Sequence, residues 1–239
     1  MKLAERELVT CKQCNNKFMS YPMWVVGDRF ISELCDKCAA SNAAPESKEW
    51  GLKNRWPSLC PYDYLTLEEG GPTDLTRLNS AGPRVKEVMD WRPSEIRSLI
   101  VYSAGSGMMK TRAVWRCIKA LVQDKVPDVV AINGQEFETR YSFALRTGAE
   151  ADFFKRMKNC FIFFVDDIDK SAWNRKVKAA FFDVFKSRCE FGKISIMTTN
   201  QRGKEWMQGF MSDEYGEPII RRIRQYFHQI EIESINDPS

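Results

Sequence analysis

Histidine is nearly absent from this chain: 239 residues contain one, His228. A mixed cysteine–histidine metal site elsewhere in the sequence is therefore excluded. Long apolar runs are also missing. None approaches the roughly 18 residues of a membrane span, so no membrane partner is expected. The opening residues, Met-Lys-Leu-Ala-Glu-Arg-Glu-Leu, are charged and lack the apolar centre of a secretory leader. There is no internal repeat and no low-complexity tract. Charge of one sign is not in large excess: 36 basic and 32 acidic side chains leave +4. Such a balance does not by itself demand nucleic acid. These absences point to a cytoplasmic protein. With 44% hydrophobic and 12% aromatic residues, the chain has enough apolar material for a packed core. Its length allows one domain of ordinary size and a small one.

Glycine is scarce where it would be most telling. Leu99-Ile-Val-Tyr102 reads as an apolar strand, followed by a loop and then Lys110-Thr111 opening a helix. That is the layout of a nucleotide-phosphate cradle. The pattern G-x-x-x-x-G-K-[ST] falls on Ala104, Gly105, Ser106, Gly107, Met108, Met109, Lys110 and Thr111, with Arg112 next. Ala104 and Met109 stand where the pattern has glycine. Loop N–H groups and the positive end of the helix dipole face phosphates in such a cradle. Lys110 reaches the β- and γ-phosphates of ATP, and the Thr111 hydroxyl ligates Mg²⁺. Crowding by Ala104 and Met109 predicts weak binding or slow hydrolysis.

A second motif lies about 55 residues further on. Phe161-Ile-Phe-Phe-Val165 is a continuous apolar run, as in a strand buried on both faces. It ends in Asp166-Asp167, at the strand end where open α/β sheets bind ligands. Asp166 is assigned to Mg²⁺ and Asp167 to the attacking water. Both motifs, in this order, indicate a P-loop ATPase domain.

Strands and helices alternate from residue 98 onward. Strands are expected at 99–102, 129–132, 161–165, 194–200 and 228–232. Ala113, Val114, Cys117, Ile118, Leu121 and Val122 share one helical face, a helical region runs from Phe137 to Lys158, and a helix carries Val177, Ala180, Phe181, Val184 and Phe185. This alternation predicts a parallel sheet with helices on both faces.

Four of the eight cysteines form two knuckles, Cys11-x-x-Cys14 and Cys35-x-x-Cys38, with 20 residues between them. That spacing reads as a four-thiolate zinc site. Cys117 and Cys160 sit in apolar runs and are assigned to the core. Charges around the knuckles nearly cancel, and Phe18, Tyr21, Trp24 and Phe30 suit base stacking, a small core or a protein-binding face. Protein binding is favoured over nucleic acid. The domains are thus a zinc module at 1–42, a linker at 43–75 and the ATPase domain at 76–239. Residues 59–96, with Pro61, Gly70-Gly71-Pro72 and Gly82-Pro83, read as an irregular lead-in with one short helix near Arg84–Trp91.

Taken together, the loop at Ala104–Arg112, the strand ending in Asp166-Asp167, the Thr198-Thr-Asn200 strand end and Glu217-Pro-Ile-Ile-Arg-Arg-Ile223 resemble AAA+ ATPases of the DnaC/DnaI type, the bacterial and phage helicase loaders. The IstB transposition helpers share much of the pattern. The resemblance covers about residues 85–233. Asp-Asp-Ile-Asp-Lys170 and Lys110-Thr-Arg112 look like phage-borne members. The resemblance implies a three-layer α/β/α AAA+ core with a parallel five-stranded sheet, no C-terminal lid, and a small zinc ribbon ahead of it. It makes Asn200 a sensor of the γ-phosphate, placed between the ends of the second and third core strands. It makes Arg222, with Arg221 as runner-up, an arginine finger for the neighbouring subunit. The implied partners are a replicative hexameric helicase, single-stranded DNA and further copies of the chain. The implied role is ATP-dependent helicase loading. The alternatives are a degenerate nucleotide-binding adaptor and an IstB-like transposition ATPase.

The four-thiolate reading has a direct check. Metal analysis of the purified protein is expected to find about one zinc per chain, because four thiolates fill a tetrahedral shell. Replacing Cys11 and Cys35 should release it without abolishing nucleotide binding. A metal-free protein with freely titratable thiols would sink the assignment.

Overall fold

The computed structural model describes residues 7–20, 23–25, 28–30, 56–94, 98–103, 109–122, 128–170, 173–201 and 215–232. The chain divides into two compact units, residues 1–55 and 56–239. In the first unit, β1 (Glu7–Thr10) pairs antiparallel with β2 (Lys17–Ser20), and β3 (Met23–Val25) with β4 (Asp28–Phe30). The β1–β2 turn carries the first cysteine knuckle. Cys11 N–H donates to the Asn16 carbonyl and Asn15 N–H to the Cys11 carbonyl, both at 2.9 Å. Asn15 takes φ 58°, a left-handed conformation that asparagine tolerates better than most residues. Cys11 is buried and Cys14 exposed. Tyr21, Cys35 and Cys38 lie outside the described residues. Among the described residues, no three potential metal ligands stand together, and no helix is long and apolar enough to cross a membrane.

The second unit is built on a parallel sheet of five strands: β5 (Ser98–Tyr102), β6 (Val129–Asn133), β7 (Ile162–Asp166), β8 (Ile194–Thr199) and β9 (Phe227–Glu231), in the order β6-β7-β8-β5-β9. Successive residues of a strand serve opposite faces. Ile100, Val130, Phe163, Val165 and Met197 join one buried cluster, whereas Phe164 meets the edge of Trp115 at 5.5 Å. Helices α1 (Leu75–Asn79), α2 (Pro83–Asp90) and α3 (Lys110–Val122) precede or follow β5. Helices α4 (Gly134–Thr147), α5 (Glu150–Asn159), α6 (Arg175–Glu190) and α7 (Gly216–Tyr226) follow later in the unit. Phe137 of α4 lies 5.4–5.5 Å from the rings of Phe153, Trp173 and Phe181, so aromatic packing joins α4, α5 and α6.

The expected single helical region at 137–158 is two helices. Gly148, at φ 70°, caps α4 in the left-handed conformation that glycine adopts without strain, and the chain turns there. Asn133 opens α4 by accepting the Glu136 N–H at 2.8 Å. The expected linker at 43–75 also needs correction. From Trp56 onward this segment belongs to the second unit. Trp56, Cys60, Leu65, Thr66 and Thr73 are buried. Trp56 packs edge-on against Trp115 at 5.8 Å.

A buried ion cluster fastens the segment to α3. The Glu69 carboxylate accepts from Arg116 at 3.1 Å, from Lys119, and from the Thr66 N–H at 2.8 Å. Arg116 also donates to the Tyr64 carbonyl at 2.6 Å. The side chains of Glu69 and Arg116 are only 11% and 8% exposed. Burial alone would raise the Glu69 pKa, but the bonds from Lys119, Thr66 and Arg116 bring it down to about 2 from 4.5.

Removing one partner of such a pair leaves the other buried and unpaired. Glu69→Ala is therefore expected to destabilise the unit by about 3 kcal/mol in urea or thermal unfolding. A depressed carboxylate pKa contributes stability that is full above the unfolded value. The difference between wild type and Glu69→Gln should thus persist above about pH 4.5 and shrink as pH falls toward 2. A pH-independent difference would show that the charge is not what holds the segment.

Candidate nucleotide site

The C-terminal ends of β5, β7 and β8 place the site. Lys110 and Thr111 begin α3, and the positive end of a helix dipole favours an anion. Lys110 is only 5% exposed. Its ammonium donates to Ser103 Oγ at 2.6 Å and to Asn200 Oδ1 at 2.8 Å. Burial lowers its pKa, against the attraction of Asp167, Asp169 and Asp166. Thr111 Oγ1 donates to Asp166 Oδ1 at 2.8 Å, and Thr198 Oγ1 donates to the same oxygen at 2.5 Å. Burial raises the Asp166 pKa, and the hydrogen bonds from Thr198 and Thr111 oppose it. A hydroxyl and a carboxylate brought together are hard oxygen donors, the ligand type that Mg²⁺ takes. Asp166 also lines a cleft of about 210 Å³ shared with Tyr64, Trp115, Ile132, Asn133 and Glu136.

Past Asp166 the chain turns sharply. Asp167 has φ 46°, and its N–H donates to Thr198 Oγ1 at 2.8 Å. Its Oδ1 accepts from Asn200 Nδ2 at 3.1 Å and its Oδ2 from Lys170 at 2.5 Å. The Asn200 N–H is held by Asp169 Oδ1 at 2.9 Å. One amide thus bridges Lys110 and Asp167. The sheet order puts Asn200 between the ends of the third and first core strands, β7 and β5, rather than between the second and third as expected. β8 inserts between β7 and β5, a register relation that linear spacing does not contain.

Ala104, Gly105, Ser106, Gly107 and Met108 lie outside the described residues. Met109 is described, and it takes φ 60°. The position where the pattern has glycine therefore keeps glycine's conformation with a side chain attached. Arg112 follows Thr111 on α3.

Arg222 does not project as expected of a finger. Its guanidinium lies over Phe182 at 5.4 Å, donates to the Pro218 carbonyl at 3.3 Å and stands 3.8 Å from Glu190; its side chain is 15% exposed. Ile219 and Ile223 face the core, which puts residue 222 on the flank of the helix and Arg221 on the far side. Arg221 is exposed. Nothing in local spacing marks Ser103, Asp169 or Lys170 as site residues, and Thr198 reads from the sequence only as part of a strand end.

A model of the bacterial DnaA ATPase domain matches residues 79–213, more than half of the chain. The chain belongs to this family. No curated protein matches it in sequence. Among solved structures, a replication initiator DnaA bound to AMPPCP and single-stranded DNA is similar at TM-score 0.52 and 18% identity, over 64% of this chain and 45% of that one. The DnaC helicase loader is similar at TM-score 0.51 and 18% identity, covering 67% of this chain and 92% of that one. DnaI is similar at TM-score 0.53 and 16% identity, covering 72% and 94%. At such identities the likeness establishes the AAA+ α/β fold. The chain spans about half the length of the DnaA initiators it matches.

A left-handed conformation costs a non-glycine residue roughly 1–2 kcal/mol, while glycine gives back about 0.5–1 kcal/mol through its freer unfolded chain. Met109→Gly is thus expected to stabilise the protein by about 0.5 kcal/mol in urea unfolding. Met109→Val, β-branched, should destabilise it by more than 1 kcal/mol. A less stable glycine variant would show that packing of the Met109 side chain outweighs the backbone strain.

Proposed function

We propose that this chain is an ATP-dependent loader that binds a hexameric replicative helicase and helps place it on single-stranded DNA. The carrying observation is the convergence of Lys110, Thr111, Asp166, Asp167 and Asn200 at adjacent strand ends. In this reading Lys110 and the start of α3 bind the β- and γ-phosphates of ATP. Thr111 and Asp166 hold Mg²⁺, which when bound neutralises charge on the phosphates. Asp167, oriented by Asn200, positions water for attack on the γ-phosphorus. The bond to the bridging oxygen breaks, ADP leaves, and the water's proton passes through Asp167 to solvent. Arg221, exposed on α7, is the better placed finger for a neighbouring copy, and Arg222 is a structural anchor on α6. Self-association through the ATPase unit follows from that role.

The helicase and DNA parts of this reading draw support from the fold shared with DnaC and DnaI and with the initiator bound to single-stranded DNA. In the first unit, Cys11, Cys14, Cys35 and Cys38 hold one structural zinc ion. The β1–β2 turn, which brings Cys11 and Cys14 onto one tight hairpin, supports this. The setting is a bacterial cytoplasm, with a phage-borne origin. One observation favours a second reading, a nucleotide-binding adaptor with little hydrolysis: Met109 keeps a side chain in the phosphate loop at a positive φ.

The test is co-purification with the cognate helicase and an ATPase assay with single-stranded DNA. Lys110→Ala should abolish binding of a fluorescent ATP analogue. Arg221→Ala should leave binding intact and remove the stimulated hydrolysis, since a finger acts on transition-state charge. Arg222→Ala should retain stimulated turnover. Loss in Arg222→Ala with full activity in Arg221→Ala would return the finger to Arg222. Nucleotide binding without any turnover would favour the adaptor.

A further inference from the structure

Lys170 stands in the site without a part in the mechanism above. It ends the short 3₁₀ turn Ile168–Lys170, which its own N–H closes on the Asp167 carbonyl at 3.0 Å. The positive φ of Asp167 folds this turn back on itself. The Lys170 ammonium consequently reaches Asp167 Oδ2 at 2.5 Å, while Asn200 Nδ2 occupies Oδ1 at 3.1 Å. Both oxygens of the carboxylate assigned to water are therefore engaged within the protein. The same holds on the phosphate side, where Lys110 is engaged by Ser103 and Asn200. Lys110, Asn200, Asp167 and Lys170 form one continuous chain of contacts across the site.

The pair is well made yet easily broken. The Lys170 side chain is 60% exposed and that of Asp167 23%, so water and salt screen their attraction. A competing anion can draw the ammonium away. The anion that arrives at this site, in the ATPase reading on which this inference rests, is a nucleotide phosphate.

We propose that Lys170 is a positioning residue that brakes hydrolysis by holding the Asp167 carboxylate closed on its own turn. A nucleotide phosphate competes for the ammonium but frees Oδ2 only in part, so the pair still slows turnover in the ATP-bound site. No new bond is made or broken beyond those of the hydrolysis itself.

The test uses the full chain. Lys170→Met is expected to raise the basal kcat for ATP by twofold to fivefold, about 0.4–1 kcal/mol at 1.36 kcal/mol per tenfold, with KM unchanged. Lys170→Arg, which keeps the cation, should keep the slow basal rate. In an Asp167→Asn background, Lys170→Met should have no effect, because the two act as a unit. A kcat in Lys170→Met that is unchanged or lower overturns the brake, as does an effect on KM alone. Wild type and Lys170→Met that both bind a fluorescent ATP analogue and are both inert also overturn it. Failure of the wild type to bind that analogue overturns the ATPase reading itself, a result read in binding and not in the ratio of rates.

Discussion

Asp166 Oδ1 accepts two hydroxyl hydrogens, from Thr111 and from Thr198, and that shared oxygen is the point from which the site is laid out. The first bond fixes the start of α3 against the end of β7. The second fixes β7 against β8. Thr198 Oγ1 accepts the Asp167 N–H in return, which sets the peptide where the chain turns. Lys110 precedes Thr111 by one residue and Asn200 follows Thr198 by two, so both inherit their places from these bonds. Hydrogen bonds to an ionised acceptor are stronger than neutral ones, and a buried carboxylate stripped of them is destabilising. The knot therefore holds because no member can be removed without leaving Asp166 under-satisfied.

The strands that meet at this knot were legible in the sequence because they are covered on both faces. Leu99–Val101 and Ile162–Val165 are buried throughout and read as unbroken apolar runs, and Ile194–Met197, equally buried, is interrupted only by Ser195. The phosphate-loop lysine and threonine and the paired aspartates were legible as well, since local spacing carries them. Ser103 and the role of Thr198 were not. Their roles arise from which parallel strands lie side by side, and no periodicity encodes that order. The segment from Trp56 to Thr73 was unreadable for a related reason. Glycines and prolines gave it the look of a linker, while Glu69 lies 47 and 50 residues from its partners Arg116 and Lys119. An anchor made across such separations leaves no local pattern.

Helix geometry separates the two arginines that sequence alone could only rank. With Ile219 and Ile223 facing inward, residue 222 falls on the flank and residue 221 on the opposite side. Arg222 uses its position on its own chain, over Phe182 and near Glu190. Each of those contacts is modest, about 0.5–1 kcal/mol for an arginine on an aromatic face and less for an exposed ion pair. Together they still bias the guanidinium toward its own α6. An exposed neighbour on the far side of the helix bears no such bias.

Met109 shows what the fold demands of the loop whether or not glycine is present. A methionine at φ 60° is strained, and a strained residue persists only where its surroundings over-determine it. The surroundings here are specific. The next residue, Lys110, is buried and bonded to Ser103, just past the end of β5, and to Asn200, just past the end of β8. Relaxing the backbone at 109 would swing Lys110 away from both and leave a cation in a poorly solvated place. The penalty of a left-handed methionine, roughly 1–2 kcal/mol, is smaller than that of a buried charge whose hydrogen bonds have been lost, several kcal/mol. The aim of Lys110 thus dictates the conformation of the residue before it, and a methionine at that position adopts the glycine geometry.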